Sequence, residues 1–66
     1  MKLDLNKVFL AQARACLSVN NLVDKTGLGR TTVSKILNGK AKVTPKTIGL
    51  IAKALNVDVT DIITDE

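Results

Sequence analysis

The chain has 66 residues, of which 45% are hydrophobic, and its formal net charge is +4 at pH 7. It contains one cysteine and no histidine, which excludes an intramolecular disulfide, a cysteine-based metal cluster and the commonest general base. We therefore expect one small domain over residues 1–66, with no catalytic site, no metal and no cofactor.

The first predicted helix begins near Asp4 or Asn6, either of which can cap it, and runs to about Cys16. Spacings of three and four residues predict a core-facing stripe composed of Leu5, Val8, Phe9, Gln12 and Cys16. Leu10 and Leu17 lie on a neighbouring face, so the helix is either buried on two sides or in contact with a partner. We expect Cys16 to pack as a small apolar residue.

A second helix is predicted over residues 19–26, with Ser18 as its N-cap and Gly27 as the residue that ends it. Glycine adopts a left-handed backbone at little steric cost, as a sharp turn between two helices requires. Leu28 is the apolar residue of this turn, and we expect it to fill the core between the helices.

A third helix is predicted over residues 30–37, between Gly29 and the stop signal Asn38-Gly39. Its predicted inward stripe comprises Val33, Ile36 and Leu37. The opposite face carries Arg30, Thr31, Ser34 and Lys35. Two short helices joined by a glycine turn form the layout of a helix-turn-helix, whose second helix enters the major groove of DNA. We place this motif at about residues 19–38.

A fourth helix is predicted over residues 45–55, with Thr44 as its N-cap and proline in its first turn. Its predicted core-facing residues are Ile48, Ile51, Ala52 and Leu55. Asn56 is expected to end it in a left-handed conformation. A short fifth helix is predicted over residues 59–63, capped by Asp58, and no stretch is long enough to predict a strand.

Charge is segregated along the chain. Residues 25–57 carry seven basic and no acidic residues, whereas residues 58–66 carry four acidic and no basic residues. A basic block in one half of a compact domain is the electrostatic footprint of a phosphate-binding surface. The alternative is a solvated, lysine-rich surface without a ligand, and charge alone does not decide between the two.

The outward face of the third helix predicts contacts with base edges, made by Arg30, Thr31, Ser34 and Lys35. Arginine and lysine reach the O6 and N7 acceptors of guanine, and threonine offers a hydroxyl or a methyl group. Arg30 is the strongest candidate because the first turn of the helix points deepest into the groove.

A second set of residues is predicted to bind phosphates: Ser18, Gly29, Thr32, Asn38, Lys40, Lys42, Thr44 and Lys46. The last five of these surround the end of the third helix and the start of the fourth, whose free N–H groups add a positive pole. Such contacts set the register on DNA without reading its sequence. The alternative for the lysines is a flexible, solvated loop.

The chain resembles the Cro/cI-type helix-turn-helix family, the lambda-repressor-like DNA-binding domains, over roughly residues 5–63. The resemblance rests on Gly27-Leu28, Val33, Ile36, Asn38-Gly39 and the segment IAKALNVDVTDII. It implies an all-α fold of five helices that binds duplex DNA as a repressor or related regulator, commonly as a dimer on a palindromic operator. By the family's pattern, Arg30, Thr31 and Lys35 face bases and Asn38 meets phosphate.

The chain departs from this pattern at three places. Val19 stands where such domains often carry a phosphate-binding glutamine, and Val23 replaces a small residue. Gln12 and Leu37 replace a frequent buried arginine–glutamate pair, and the exchange of both members avoids an unpaired ion in the core.

The sequence thus predicts a cytoplasmic, sequence-specific transcriptional regulator, a repressor of phage or bacterial type, whose partner is double-stranded DNA. A homodimer is a hypothesis that rests on spare apolar surface along the first helix and near Ile62 and Ile63. The alternative function is a protein-interaction module of the same fold, such as an antitoxin or co-regulator. No apolar run approaches the ~20 residues of a membrane span, and we expect neither membrane contact nor a small-molecule ligand.

Overall fold

The computed structural model describes residues 2–64 and is mostly helical. Its elements in chain order are β1 (Lys2–Leu3), α1 (Leu5–Ala15), α2 (Val19–Thr26), α3 (Arg30–Leu37), α4 (Pro45–Ala54), a 3-10 turn (Val59–Asp61) and β2 (Ile63–Thr64). The bounds of α2 and α3 confirm those predicted from the sequence, and α1 and α4 each end one residue earlier than predicted. None of the helices within residues 2–64 has the length and apolar character needed to cross a lipid bilayer.

The helices begin where side chains cap them. The Asp4 carboxylate accepts hydrogen bonds from the backbone N–H groups of Asn6, at 3.0 Å, and Lys7, at 3.3 Å, so Asp4 and not Asn6 is the N-cap of α1. Ser18 caps α2 and Thr44 caps α4, as predicted. Each cap satisfies a backbone donor that the first turn of a helix leaves free.

A left-handed residue lies at or shortly after the end of each of the four α-helices, with Gly39 at φ 72° after α3. Gly27 has φ 72° directly after α2, and Asn56 has φ 58° shortly after α4, which confirms both predictions. Cys16 has φ 56° at the end of α1. Its backbone N–H donates to the Ala13 carbonyl oxygen at 3.2 Å.

The inward face of α1 differs from the predicted stripe. Val8 and Ala11 are buried, whereas Phe9 is 51% exposed and Leu10 is 53% exposed. Phe9 follows Val8 by one residue and is therefore rotated by about 100° around the helix, away from the narrow face that meets the core. Cys16 is also exposed, since it leaves the helix in the left-handed conformation, so the prediction that it packs inside is wrong.

The predicted fifth helix is shorter than expected: it starts at Val59 after the N-cap Asp58, as predicted, but forms a single 3-10 turn that ends at Asp61, and Ile63 belongs to β2. The Asp61 N–H donates to the Asp58 carbonyl oxygen at 2.9 Å, a bond that spans three residues. The chain then pairs antiparallel with β1, with Leu3 opposite Ile63. This two-stranded ladder also corrects the prediction of a fold without strands. The pairing diverts Ile63 from a further helical turn.

The core lies where α2 packs against both α3 and α4. Its largest fully buried side chains are Val8, Leu22, Ile48, Leu55 and Ile62. All four residues predicted to face the core from α4 are buried, and so are Val33 and Ile36 of α3. Leu28 packs against this core from the turn between α2 and α3, as expected.

Candidate nucleic-acid interface

The third helix separates a buried face from an exposed one. Val33 and Ile36 are each only 4% exposed and hold α3 against the core. The exposed residues of the helix are Arg30, Thr31, Thr32, Ser34 and Lys35. The four residues predicted to contact bases therefore share one solvent-facing surface. This surface can offer guanidinium, ammonium and hydroxyl groups to a ligand.

The start of α3 lacks a side-chain cap, unlike α1, α2 and α4. Gly29 is the N-cap residue and makes no side-chain hydrogen bond to the first turn. Donors in the first turn of a helix carry a partial positive charge and attract anions when no side chain satisfies them. Thr32, also predicted to bind phosphate, is exposed in the same turn. The arrangement leaves these backbone donors available to an anionic group.

The Ser18 hydroxyl is already used within the protein. The hydroxyl group accepts a hydrogen bond from the Asn21 N–H at 3.2 Å and donates one to Asn21 Oδ1 at 2.9 Å. The same Oδ1 accepts from the Ser18 N–H at 2.9 Å, which completes a capping box. A phosphate at this position would have to draw the hydroxyl proton away from Asn21.

Asn38 links the two predicted sets of contacts. Its side-chain amide donates to the Ser34 hydroxyl over 3.4 Å, one turn earlier in α3. At that length the bond is weak, so the amide can exchange this partner for an external acceptor. Asn38 is exposed at the C-cap of α3, where the chain turns into the following loop.

The loop between α3 and α4 begins with a tight turn. The Lys40 N–H donates to the Lys35 carbonyl oxygen at 2.9 Å, and the Gly39 N–H donates to the Ile36 carbonyl oxygen at 3.1 Å. These bonds form a Schellman-type end to α3 and fix where the loop leaves it. Lys40, Lys42, Thr44 and Lys46 are all exposed along the loop and the first turn of α4.

All twelve predicted residues are exposed, and ten of them lie at the start of α3, within it or in the loop that follows it; Ser18 lies at the start of α2 and Lys46 in the first turn of α4. Whether each one contacts DNA stays a prediction. Sequence reasoning missed Thr26, a buried residue that supports the turn before α3. It also left Lys2 unassigned, although Lys2 lines a cleft together with Lys40 and Lys42. A threonine directly before a helix-ending glycine is the local signal for Thr26, whereas Lys2 is placed by the pairing of β1 with β2.

Comparison with known proteins gives one result. A family model described as helix-turn-helix matches residues 17–62, which include α2, α3, α4 and the 3-10 turn. Neither a search of curated proteins nor a search of solved structures found a match to the chain.

Proposed function

The chain belongs to the Cro/cI-type helix-turn-helix family of DNA-binding regulators, and we propose that it is a repressor of bacterial or phage type that reads duplex DNA with α3. The motif occupies about residues 19–38 of a single domain. The observation that carries the proposal is the division of α3 into a buried anchor and an exposed polar face. A helix that reads the major groove needs both faces.

In this proposal the exposed face of α3 contacts base edges through Arg30, Thr31, Ser34 and Lys35. Arg30 lies in the first turn and is fully able to make a bidentate contact with guanine O6 and N7. Lys35 supplies a second cation one turn later, as a point charge and not a planar fork. The hydroxyl groups of Thr31 and Ser34 add short-range contacts to bases.

The phosphate contacts surround this face. Gly29 and Thr32 offer backbone and hydroxyl donors at the start of α3, and Ser18 offers its hydroxyl at the start of α2. At the other end of α3 the contacts come from Asn38, Lys40, Lys42, Thr44 and Lys46. Contacts at both ends would fix the angle at which α3 enters the groove.

We also propose that two copies bind one operator, through the exposed apolar residues of α1. Phe9 and Leu10 are the large hydrophobic residues that the described part of the chain leaves exposed. Members of this structural class bind half-sites about one helical turn apart, so that protein symmetry matches operator symmetry. The same patch supports the second candidate function, a protein-interaction module such as an antitoxin or co-regulator.

The test is selection from a pool of random duplex DNA, followed by titration of the enriched sequence at several salt concentrations. A reader of sequence should enrich one motif, and its affinity should fall steeply as salt rises. Arg30→Ala should weaken binding to that motif by about 5- to 150-fold, the equivalent of the ~1–3 kcal/mol of one good base contact.

The control is Lys53→Ala, which removes one positive charge from an exposed position near the end of α4. It should leave the preferred motif and its affinity nearly unchanged. Weak binding without an enriched motif would contradict the proposal and favour the protein-interaction module.

A further inference from the structure

A cleft of about 470 Å³ lies between the N-terminal strand and the loop that follows α3. Its walls include three lysines from two distant parts of the sequence: Lys2 of β1, and Lys40 and Lys42 of the loop. All three are exposed. Three lysines that line one cleft concentrate positive charge there, which attracts an anion.

The rest of the cleft is apolar. Its lining includes Leu3, which is 8% exposed, and Ile36, which is 4% exposed. The lining contains no acidic residue among those that the structure describes. None of these side chains is a carboxylate, so none of them neutralises the lysines. Lysine stems can lie along such a wall while the ammonium groups stay in water.

Backbone pairing holds Lys2 at this position. Lys2 lies opposite Thr64 in the antiparallel ladder, and the Asp4 N–H donates to the Ile62 carbonyl oxygen at 2.8 Å. The start of α1 also abuts the loop, since a Cβ atom on Gly39 would lie 3.5 Å from Leu5 Cδ1. The N-terminal lysine is therefore tied to the rim of the interface by the fold.

Lys7, the next lysine in the sequence, is placed differently. Its Nζ donates to the Ile63 carbonyl oxygen at 3.2 Å, and it lines another cleft with Leu10, Arg14 and Asp61. Lys7 therefore already has a partner within the protein and an acidic neighbour. Lys2 has an acidic neighbour too, since it lines a further cleft with Asp4. The two lysines therefore differ in the hydrogen bond of Lys7 and in the two loop lysines that share a cleft with Lys2.

We infer that the cleft lies along the DNA backbone and that Lys2 contacts one phosphodiester group there, beside those proposed for Lys40 and Lys42, an inference that rests on the proposed function. The cleft begins at the end of α3, where the Lys40 N–H is bonded to the Lys35 carbonyl oxygen. A phosphate there is continuous with the proposed contacts of Lys40 and Lys42. Lysine binds phosphate as a point charge and needs no fixed geometry, which suits a terminal strand.

The experiment compares Lys2→Gln with the matched control Lys7→Gln. Both variants remove one positive charge and keep a long polar side chain. Affinity for the selected duplex is measured as a function of salt concentration. The loss of one phosphate contact should reduce the slope of log affinity against log salt by about 0.9. Equivalently, the loss of affinity between ~50 and ~200 mM salt should become roughly threefold smaller.

Lys7→Gln should leave the slope unchanged, and neither variant should alter the enriched motif. Because Lys7→Gln loses the hydrogen bond to the Ile63 carbonyl oxygen, binding is measured well below the thermal midpoint of unfolding of each variant. Lys40→Gln, tested alongside, separates the inference about Lys2 from the proposed function. If Lys40→Gln lowers the slope and Lys2→Gln does not, the inference about Lys2 fails and the proposed function stands. If the parent protein itself binds duplex DNA without salt dependence, the proposed function fails.

A free phosphate ion could bind the three lysines of the cleft through the same charge interactions as a phosphodiester group. Inorganic phosphate is titrated into the free protein at constant ionic strength while the amide signals of Leu3, Gly39 and Lys40 are followed. A backbone contact predicts no saturable shift, because one isolated phosphate lacks the surrounding contacts of the duplex. Saturable shifts that Lys2→Gln abolishes, together with an unchanged DNA slope, would overturn the inference.

Discussion

Thr26 closes the turn between α2 and α3 with a single hydroxyl group. The hydroxyl donates to the Leu22 carbonyl oxygen at 2.6 Å and accepts a hydrogen bond from the Leu28 N–H at 3.3 Å. Thr26 is the one buried polar residue within the described part of the chain. Because the hydroxyl joins the last turn of α2 to the start of the connection, it helps to set the angle at which α3 leaves α2.

Thr26→Val tests this role because valine keeps the shape and removes the hydroxyl. The Leu28 N–H loses its partner, and we expect the free energy of unfolding to fall by about 1–3 kcal/mol. Thr60→Val is the control, since Thr60 is exposed and its exchange should change stability by less than ~0.5 kcal/mol. Urea unfolding of the three proteins measures the difference. Equal stability of Thr26→Val and the parent would show that water replaces the hydroxyl.

At the scale of elements, backbone conformation decides what a glycine does. Gly27 and Gly49 both have open space where a Cβ atom would stand, with no heavy atom within 4 Å. Gly27, at φ 72°, forms the left-handed end of α2, whereas Gly49 lies inside α4. The two positions therefore differ in backbone conformation and not in crowding.

Gly→Ala at these two positions should have opposite effects. Gly27→Ala forces a Cβ into the left-handed region and should destabilise the protein by about 1 kcal/mol. Gly49→Ala removes a flexible residue from a helix interior and should stabilise it by roughly 0.5–1 kcal/mol. Thermal unfolding of both variants measures the sign. A loss of stability in Gly49→Ala would mean that α4 needs a glycine for close packing.

Local chemistry explains which elements could be predicted from the sequence. The bounds of α2 and α3 follow from Ser18, Gly27 and the Asn38-Gly39 pair, all of which act on the backbone next to them. The β1–β2 ladder could not be predicted, because its two residues per strand show no period and its partners stand at opposite ends of the chain. The end of the predicted fifth helix was placed too late for the same reason, since Ile63 pairs with β1.

The candidate site likewise combines residues that a local pattern predicts with one that only the strand pairing places. The helical period alone predicts that Arg30 and Lys35 share a face opposite Val33 and Ile36, and the structure confirms that the face is exposed. Lys2 reaches the loop only through the strand pairing, which no local pattern shows. The sequence likewise could not show which side of α1 is free, since Val8 and Phe9 are both apolar and adjacent.

At the scale of the whole molecule, charge acts over a distance shorter than the protein itself. The described residues extend over 28 × 23 × 18 Å, whereas charges are screened over about 8 Å at physiological ionic strength. The cleft of Lys2, Lys40 and Lys42 shares no residue with the cleft that Lys53, Asp58 and Asp61 line. Asp58 and Asp61 thus neutralise a different part of the surface from the cleft of Lys2, Lys40 and Lys42.

The area of the exposed apolar patch determines how strongly two copies would pair on an operator. Phe9 and Leu10 are adjacent on α1, and each exposes about half of its side chain. A patch of two such side chains is small compared with the ~800 Å² per partner of a stable interface, so we expect weak pairing that DNA strengthens by holding two copies side by side. The free protein should then be mostly monomeric at low concentration.

Exchange of both residues for glutamine tests this expectation. Phe9→Gln with Leu10→Gln should leave binding to an isolated half-site unchanged, because α1 lies outside the proposed DNA contacts. Binding to a full palindromic operator should lose its cooperativity, which gel-shift titrations on the two duplexes measure directly. Each single exchange should lower the free energy of unfolding by no more than about 1.5 kcal/mol, since half of each side chain is already exposed. Cooperative binding that survives the double exchange would place the contact between copies elsewhere, with the surface near Ile63 as the next to test. Loss of half-site binding would instead mean that α1 supports the orientation of α3.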